Sequence, residues 1–466
     1  MKLKFFGATG EVTGSKSMLS IGQEKYFIDY GLYQGNSKAR QKNWEEKDFS
    51  DVNAVFLTHA HIDHSGLLPR LAKSNFNGVI YCTTATYQLC RILLEDSAHI
   101  HQEDAKYINK KGFSRHKPAQ PLYSTEDAHQ ILSQFKVVRF NEWVKISDLI
   151  EIKFHWAGHI LGSSFIEVKG NDDDGEKTIV FSGDIGHPRG IALKGPENLV
   201  ECDYLVLEST YGDKIHPRLE SKEMLKLHLN SILLRKGVAI IPAFSVGRTQ
   251  DILILINQLI LEKKIPDVPV VLDSPLSKKA NKIFLVNKNT KYIKDHVKSL
   301  NNGKVFPEKL RLVQTVQESI SINSMSGPMI IVSASGMLDG GRVVHHLKKR
   351  VSEKENGIIL VGYQPIGTKG RYLLDGYKML RLHKQEFKVN ASIFYINSLS
   401  AHGDYLDMME WIKKSKVKPY LTILNHGEQR PTRHLKDVLN SCLGMNVTIA
   451  KNEEEFYLPS IKGNNK

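Results

Sequence analysis

The residues with the clearest chemical potential lie in one short segment, 59–64, which reads His-Ala-His-Ile-Asp-His. It follows an apolar β-type run at 54–58 and precedes an amphipathic stretch that begins at 65. Neutral imidazole and carboxylate are the usual ligands of zinc in hydrolytic sites. A histidine-rich surface turn is the alternative, and the strand and helix patterns on either side argue against it. The segment therefore predicts a metal site in a strand-to-helix turn, with enough ligands to serve two ions close together.

Further ligand-type residues stand beside small residues at the ends of predicted strands. They are Asp29, His159, Asp184 and His402. Small neighbours allow the backbone to bring such a side chain close to an ion. Each residue alone is equally compatible with turn capping or with a satisfied polar group in the core. Together with segment 59–64 they predict one composite metal site.

The pattern of elements around these residues changes twice along the chain. Up to about residue 208 short strands dominate, with one long helix predicted over 84–111. Compact apolar strands are then predicted at 237–242, 268–273, 328–333 and 357–362, with helices between them. This alternation predicts a βαβ domain with a parallel sheet. The earlier pattern returns from residue 390. The acidic hairpin tip at 171–175 is interpreted as a solvated turn rather than as a calcium site.

In residue type and order, these motifs resemble those of the metallo-β-lactamase superfamily. The resemblance implies an α/β fold, an αββα sandwich, with two zinc ions at one edge of the paired sheets. The ligands it implies are His59, His61 and His159 for the first ion, Asp63, His64 and His402 for the second, and Asp184 as a bridge between them. Asp29 would orient these ligands through hydrogen bonds.

The long stretch between Asp184 and His402 implies an inserted domain, because single-domain members of the superfamily close that gap with far less chain. Its motifs at 208–212, 242–250, 273–276, 333–337 and 361–365 resemble the β-CASP nucleases, the group that contains the mRNA 3′-end processing endonuclease. The predicted architecture is a metallo-β-lactamase sandwich with an inserted parallel α/β β-CASP domain. Its predicted boundaries are 1–208, 209–370 and 371–466.

The resemblance also assigns residues to catalysis and to substrate binding. The catalytic set is Asp29, Asp63, Glu208 and His402, in which Glu208 matches the motif A acid and His402 the motif C histidine. Tyr372 stands where the motif B histidine is expected, so Glu208 would act alone or with that phenol. The predicted substrate-binding residues are Arg248, Ser335, Gly336 and Tyr372, with an interdomain ion pair as the alternative for Arg248.

Two histidine pairs outside these motifs are not assigned to a site. His345 and His346 fall in the middle of a predicted helix, where a metal or proton-relay role is disfavoured. His99 and His101 are two residues apart on a helix and point to different faces, so they cannot chelate one ion.

The activity implied by the resemblance is that of a zinc-dependent ribonuclease. Hydroxide activated by two zinc ions would attack phosphorus and leave 5′-phosphate and 3′-hydroxyl ends, with endonucleolytic cleavage in RNA processing or decay. One alternative is a hydrolase of small thioesters or lactones, against which the insert and the basic balance count. The other is an inactive RNA-binding scaffold, which would have no need to keep a full set of ligands.

Bulk composition agrees with a soluble enzyme that has a polyanionic partner. The 466 residues carry a net charge of +14, which favours RNA, although a generally basic proteome would also produce it. Four cysteines without C-x-x-C spacing predict a reducing compartment, and no signal peptide or membrane span is recognised, so a cytoplasmic location is expected. A homodimer stays open, and the tail from residue 462 is expected to be disordered.

Overall fold

The computed structural model describes residues 1–35, 37–45, 49–112, 118–216, 221–362, 364 and 367–461. The tail from residue 462 and positions 363 and 365 of the last β-CASP motif lie outside the described residues.

The strands are short and are distributed along the chain from residue 2 to residue 457. They are β1 (Lys2–Phe5), β2 (Ser17–Ile21), β3 (Glu24–Ile28), β4 (Ala54–Phe56), β5 (Val79–Thr83), β6 (Phe135–Val138), β7 (Trp143–Lys145), β8 (Ile150–Trp156), β9 (Ser164–Asp172), β10 (Gly175–Phe181), β11 (Tyr204–Glu208), β12 (Val238–Pro242), β13 (Val270–Asp273), β14 (Leu310–Leu312), β15 (Met329–Ser333), β16 (Gly357–Val361), β17 (Met379–Leu382), β18 (Gln385–Lys388), β19 (Ser392–Ile396), β20 (Leu421–Asn425), β21 (Val447–Ile449) and β22 (Glu455–Tyr457).

The helices range from single turns to one long element. They are α1 (Ser37–Gln41), α2 (Ile62–Ser65), α3 (Leu68–Lys73), α4 (Thr84–Lys111), α5 (Thr125–Leu132), α6 (Ser221–Leu233), α7 (Arg248–Leu261), α8 (Pro275–Asn287), α9 (Asp295–Lys298), α10 (Val316–Asn323), α11 (Arg342–Arg350), α12 (Lys369–Leu374), α13 (Tyr405–Lys413) and α14 (Gln429–Leu443). The long helix predicted over 84–111 is confirmed as α4. Among the described helices, none is both long enough and apolar enough to cross a membrane.

The chain forms two compact units. The first comprises Met1–Pro188, Gly195–Ile215 and His402–Lys466, and the second comprises Arg189–Lys194 and His216–Ala401. The sequence prediction ends the insert at residue 370, whereas the second unit continues to Ala401. The reason is β19, which pairs in parallel with β16 and so completes the sheet of the second unit.

In the first unit two sheets pack face to face, with strand orders β22-β1-β2-β3-β4-β5-β6 and β21-β20-β11-β10-β9-β8-β7. Their shared core is apolar and fully buried, and includes Phe56 of one sheet and Phe154 of the other. Helix α4 covers the outer face of the first sheet, while Trp411 of α13 and Leu435 of α14 cover that of the second. This arrangement confirms the predicted αββα sandwich.

In the second unit one parallel sheet has the order β14-β13-β15-β12-β16-β19. Helices α6 and α7 pack on one face, and α10 and α11 pack on the other. The four central strands, β12, β13, β15 and β16, are buried on both faces, which explains why they read as continuous apolar runs without alternation. The predicted parallel α/β insert is confirmed.

Asp172, at the hairpin tip between β9 and β10, forms ion pairs with two cations of the protein. The Asp172 carboxylate contacts the ammonium group of Lys177 and, at 2.6 Å, the amino group of Met1. These two cations neutralise the Asp172 carboxylate.

A polar network is buried in the second unit, at the carboxyl end of β13. Asp273 is fully buried and accepts hydrogen bonds from His346 at 2.7 Å and Arg342 at 2.7 Å, as well as from Ser319. The other ring nitrogen of His346 lies 2.8 Å from the side-chain oxygen of Asn323. His346 therefore joins β13 to α10 and α11, and its role is structural.

We expect His346→Ala to lower the free energy of unfolding by about 2–3 kcal/mol, because it leaves buried polar groups without a partner. Its neighbour His345 is exposed, so His345→Ala should stay within about 0.5 kcal/mol of the wild type. Urea unfolding followed by circular dichroism measures both. Equal effects of the two substitutions would contradict the structural role of His346.

Candidate metal centre

Five strands bring the chemistry to one region of the first unit. Asp29 follows β3, segment 59–64 follows β4, His159 follows β8, Asp184 follows β10, and His426 follows β20. The chain approaches itself closely here: a Cβ atom on Gly31 would lie 1.6 Å from the Asp63 carbonyl oxygen, so only glycine fits.

A first cluster of donor atoms is formed by His59, His61, His159 and Asp184. Nδ1 of His61 lies 3.2 Å from Nε2 of His59 and 3.1 Å from Nε2 of His159. The Oδ2 atom of Asp184 lies 3.5 Å and 3.4 Å from the same two Nε2 atoms. A tetrahedral ion with bonds of 2.0–2.1 Å keeps its ligand atoms about 3.3 Å apart. The spacing of these four atoms fits one such ion.

A second cluster is formed by Asp63, His64 and His426. Nε2 of His64 lies 3.2 Å from Nε2 of His426 and 3.3 Å from Oδ1 of Asp184. Oδ2 of Asp63 lies 3.7 Å from Nε2 of His426. Asp184 therefore turns one carboxylate oxygen to each cluster, as a bridging ligand does.

Hydrogen bonding supports the same interpretation. Oδ1 of Asp184 is buried and has no hydrogen-bond partner among the described residues. A buried carboxylate oxygen without a partner is costly unless a cation neutralises it. Paired imidazole nitrogens at 3.1–3.2 Å likewise make sense as ligands that face a common ion. The donor set thus fits divalent metal ions, and metal binding by this unit follows.

The protonation of the first cluster is set mainly by burial. Burial lowers the pKa of His59 and His159 well below the ordinary value, and neighbouring imidazoles lower it further. Burial also lowers the pKa of His61, to about 4. These rings are neutral near pH 7, and neutral imidazole is the form that binds metal.

The carboxylates favour positive charge at the second cluster. Burial lowers the pKa of His64, but the carboxylates of Asp184 and Asp29 outweigh burial and raise that pKa well above its ordinary value. Burial raises the pKa of the Asp184 carboxyl, yet the surrounding histidines hold it well below its usual range. A cation, whether proton or metal ion, is therefore stabilised between these groups.

Asp29 makes hydrogen bonds with His64 and Thr58 behind the two clusters. Its carboxylate lies 2.7 Å from Nδ1 of His64 and accepts hydrogen bonds from the backbone and the hydroxyl of Thr58 at 2.8 and 2.9 Å. The same hydroxyl lies 3.0 Å from Nδ1 of His59. Asp29 and Thr58 thereby direct the Nε2 atoms of His59 and His64 into the clusters.

Beside the clusters, Glu208 and His402 form a hydrogen-bonded pair. Nδ1 of His402 lies 3.0 Å from Oε2 of Glu208 and 3.9 Å from Oδ2 of Asp184. Glu208 also accepts a hydrogen bond of 2.6 Å from the backbone N–H of Ile185. Burial lowers the pKa of His402, but the carboxylates of Glu208 and Asp184 outweigh burial and raise it to about 9. These carboxylates thus favour the protonated form of the ring, which is part-exposed.

Two expectations from the sequence need correction here. His402 was expected in the second ligand set, but His426 occupies that position, because β20 ends beside Asp63 and His64. Glu208 was expected to lack a histidine partner, but His402 is that partner. His426 follows a strand and precedes a helix, between Asn425 and Gly427, so the signal that pointed to the other ligands was present there too.

The predicted substrate-binding residues all lie in the second unit. Arg248 is buried and donates to Asp251 at 2.8 Å, an ion pair within α7. The Ser335 hydroxyl is buried and has no hydrogen-bond partner among the described residues, and the Gly336 carbonyl accepts from Gln364 at 3.1 Å. Tyr372 is 39% exposed on α12.

Family models match three consecutive parts of the chain. They describe a metallo-beta-lactamase superfamily domain over residues 18–204, a Beta-Casp domain over 249–373, and a Zn-dependent metallo-hydrolase RNA specificity domain over 386–450.

Similar proteins extend over nearly the whole chain. A ribonuclease of Thermus thermophilus is 31% identical over 97% of this chain and 98% of its own length. An RNase J-like protein of Methanocaldococcus jannaschii is 30% identical over 92% of each chain. The transcription termination factor FttA of a Lokiarchaeum species is 29% identical over 98% of this chain and 71% of its own length.

A solved structure shares the fold. A protein of unknown function from Enterococcus faecalis superposes with a TM-score of 0.53 at 14% identity, over 98% of this chain and 99% of its own. The sandwich, its parallel insert, the two clusters joined by Asp184 and these sequence matches lead to one assignment. The chain belongs to the β-CASP group of the metallo-β-lactamase superfamily.

Proposed function

We propose that the chain is a zinc-dependent endoribonuclease that hydrolyses single-stranded RNA and leaves 5′-phosphate and 3′-hydroxyl ends. The observation that carries this proposal is the pair of donor clusters joined by Asp184, with the Glu208–His402 pair beside them. Full-length similarity to proteins named as ribonucleases supports RNA as the substrate.

Two zinc ions are proposed, one in each cluster. His59, His61 and His159 would hold the first, Asp63, His64 and His426 the second, and Asp184 would contribute to both. Bound there, zinc supplies an activated water and neutralises charge on the phosphoryl oxygens. The chain itself contributes neutral imidazoles, an ionised Asp184, and orientation through Asp29.

Proton delivery to the leaving group is assigned to His402. Nδ1 of its ring is engaged by Glu208, so the Nε2–H is the proton available to the departing 3′-oxygen. Glu208 acts as the positioning residue that keeps the ring protonated and oriented. Within the second unit, Ser335 and Gly336 remain proposed contacts for RNA phosphates, as the family resemblance implies.

Zinc content separates the roles of the two histidines. Elemental analysis of protein purified without chelator should find about two zinc ions per chain. His426→Ala should reduce this to about one, because it removes a ligand of the second cluster, whereas His402→Ala should keep both. If His402→Ala loses an ion and His426→Ala does not, the corrected assignment is wrong.

Turnover separates proton transfer from metal binding. His402→Ala and Glu208→Gln should each slow cleavage by about 10²–10⁴-fold, with zinc content and RNA affinity nearly intact. Added imidazole should restore part of the rate of His402→Ala. His129→Gln serves as the control, because it removes an exposed imidazole that pairs with Glu95 away from the metal clusters. Normal turnover in both site variants would contradict the assignment.

Substrate class is tested with 5′- and 3′-labelled RNA, matching DNA, and a small thioester. We expect internal cleavage of RNA, products that a 5′-phosphate-dependent exonuclease degrades, and a strong decrease in rate with salt, since the chain has a net charge of +14. Rapid thioester hydrolysis with untouched RNA would replace the proposal by a small-substrate hydrolase.

A further inference from the structure

The β17–β18 hairpin of the second unit has two unlike faces. It pairs as a separate two-stranded ribbon, with Met379 opposite Lys388 and Arg381 opposite Glu386. Its inner face carries Leu380 and Leu382, which are buried in the core of that unit. Because side chains alternate along a strand, Met379, Arg381, Glu386 and Lys388 share the outer face, and all four are exposed.

The tip of this hairpin carries a histidine and a lysine where the backbone favours other residues. His383 and Lys384 are its two loop residues, with φ values of +46° and +68°. A two-residue turn with both φ angles positive is strongly favoured by Asn-Gly. Left-handed backbone at two bulky residues is unfavourable, and such positions concentrate at functional sites. The presence of His383 and Lys384 at these positions therefore points to a function for their side chains.

Exposed aromatic side chains lie at the base of the hairpin. Tyr372 is 39% exposed and Tyr377 is 56% exposed, and their ring centroids are 5.1 Å apart. The backbone N–H of Tyr377 donates to the carbonyl of Tyr372 at 3.1 Å, which holds the two residues together. Adjacent exposed rings are suited to stacking on unpaired bases.

The segment is also strongly basic. Residues 369–388 contain six Lys and Arg against two acidic residues. One acid, Asp375, directly follows α12 and pairs with Arg371 of that helix. On the neighbouring α11, the His345 ring packs against His383 at 4.9 Å. Burial lowers the pKa of His345, and His383 and Lys348 lower it further, as expected in a positive field.

We propose that this surface, defined by Tyr372, Tyr377, Arg381, His383, Lys384 and Lys388 and called the hairpin surface, binds single-stranded RNA. The tyrosines stack on bases, and the cations contact phosphates. This proposal rests on the proposed function, because the RNA bound here is the substrate of the ribonuclease. The contact is made by residues of the second unit alone, whereas the proposed metal ligands belong to the first unit.

The chemistry of the surface favours a nucleic acid over an acidic protein. Phosphates recur along a strand and match a row of Lys and Arg, and every base offers a face for stacking whatever its identity. The hairpin surface therefore predicts affinity that is sensitive to salt and tolerant of sequence.

The sharpest test replaces the tip by the residues its backbone favours. His383→Asn with Lys384→Gly should raise the melting temperature, because both residues adopt positive φ readily. The same double variant should bind a 30-nucleotide RNA several-fold more weakly. A purely structural tip would gain stability without losing affinity, so an unchanged dissociation constant would overturn the proposal.

A charge variant measures the number of phosphate contacts. Arg381→Ala, Lys384→Ala and Lys388→Ala together should weaken binding about tenfold or more and reduce the slope of log K against log salt by about 2, since each phosphate contact contributes about 0.7. The matched control removes three exposed lysines of α4, Lys106, Lys110 and Lys111, in the first unit. An equal loss in the control would mean that only net charge matters, and would overturn the proposal.

The stacking contribution has its own readout. Tyr377→Ala should weaken binding about tenfold, and Tyr377→Phe should keep most of the affinity, because the ring face is retained. Brief irradiation of a complex with 4-thiouridine-substituted RNA should label the peptide that contains Tyr377. Absence of that peptide from the cross-linked products would count against the surface even if a variant failed to fold.

All binding arms carry Glu208→Gln, which leaves the proposed metal ligands in place and slows cleavage, and intact RNA is verified on a denaturing gel after each measurement. The outcome for the hairpin surface is then independent of cleavage. Loss of affinity in the surface variants with no RNA cleavage by the wild type would support the surface and reject the proposed activity. Cleavage by the wild type with unchanged affinity in the variants would do the reverse.

Discussion

The buried carboxylate of Asp184 is the group around which the first unit is organised. It directs one oxygen to His59 and His159 and the other to His64. Such a concentration of ligands would be unfavourable if the rings and the carboxylate faced one another without a cation. The geometry is held by strand ends of two different sheets, so the sandwich must be formed before the donor atoms can meet. Folding and metal affinity are therefore linked in this unit.

Much of this arrangement was predictable from local patterns. Segment 59–64 concentrates four donors in one turn, and strand ends flanked by small residues located Asp29, His159 and Asp184. The parallel insert was predictable because its strands are apolar on both faces and alternate with helices. These features depend on residues close in sequence, where type and spacing are informative.

The assignments that failed depend on contacts between distant parts of the chain. His402 and His426 both follow strands and both stand next to glycine, so local pattern could not decide which one reaches Asp63. The decision lies in the sheet order, which places β20 beside β11. Similarly, the end of the insert depends on β19 pairing with β16 rather than on composition.

The hydrogen bond between Glu208 and His402 has a consequence for the evolution of this architecture. Glu208 ends β11 shortly before the chain leaves the first unit, and His402 is the residue at which the chain returns. Their side chains lie 3.0 Å apart, so the chain returns close to the end of β11, and every proposed metal ligand lies outside the segment between Ile215 and His402. Domain insertions are tolerated where chain ends lie close together. The inserted segment can thus become longer or shorter, or be replaced, with little strain on the proposed metal ligands. We expect substrate specificity to diverge in this segment while the reaction is retained.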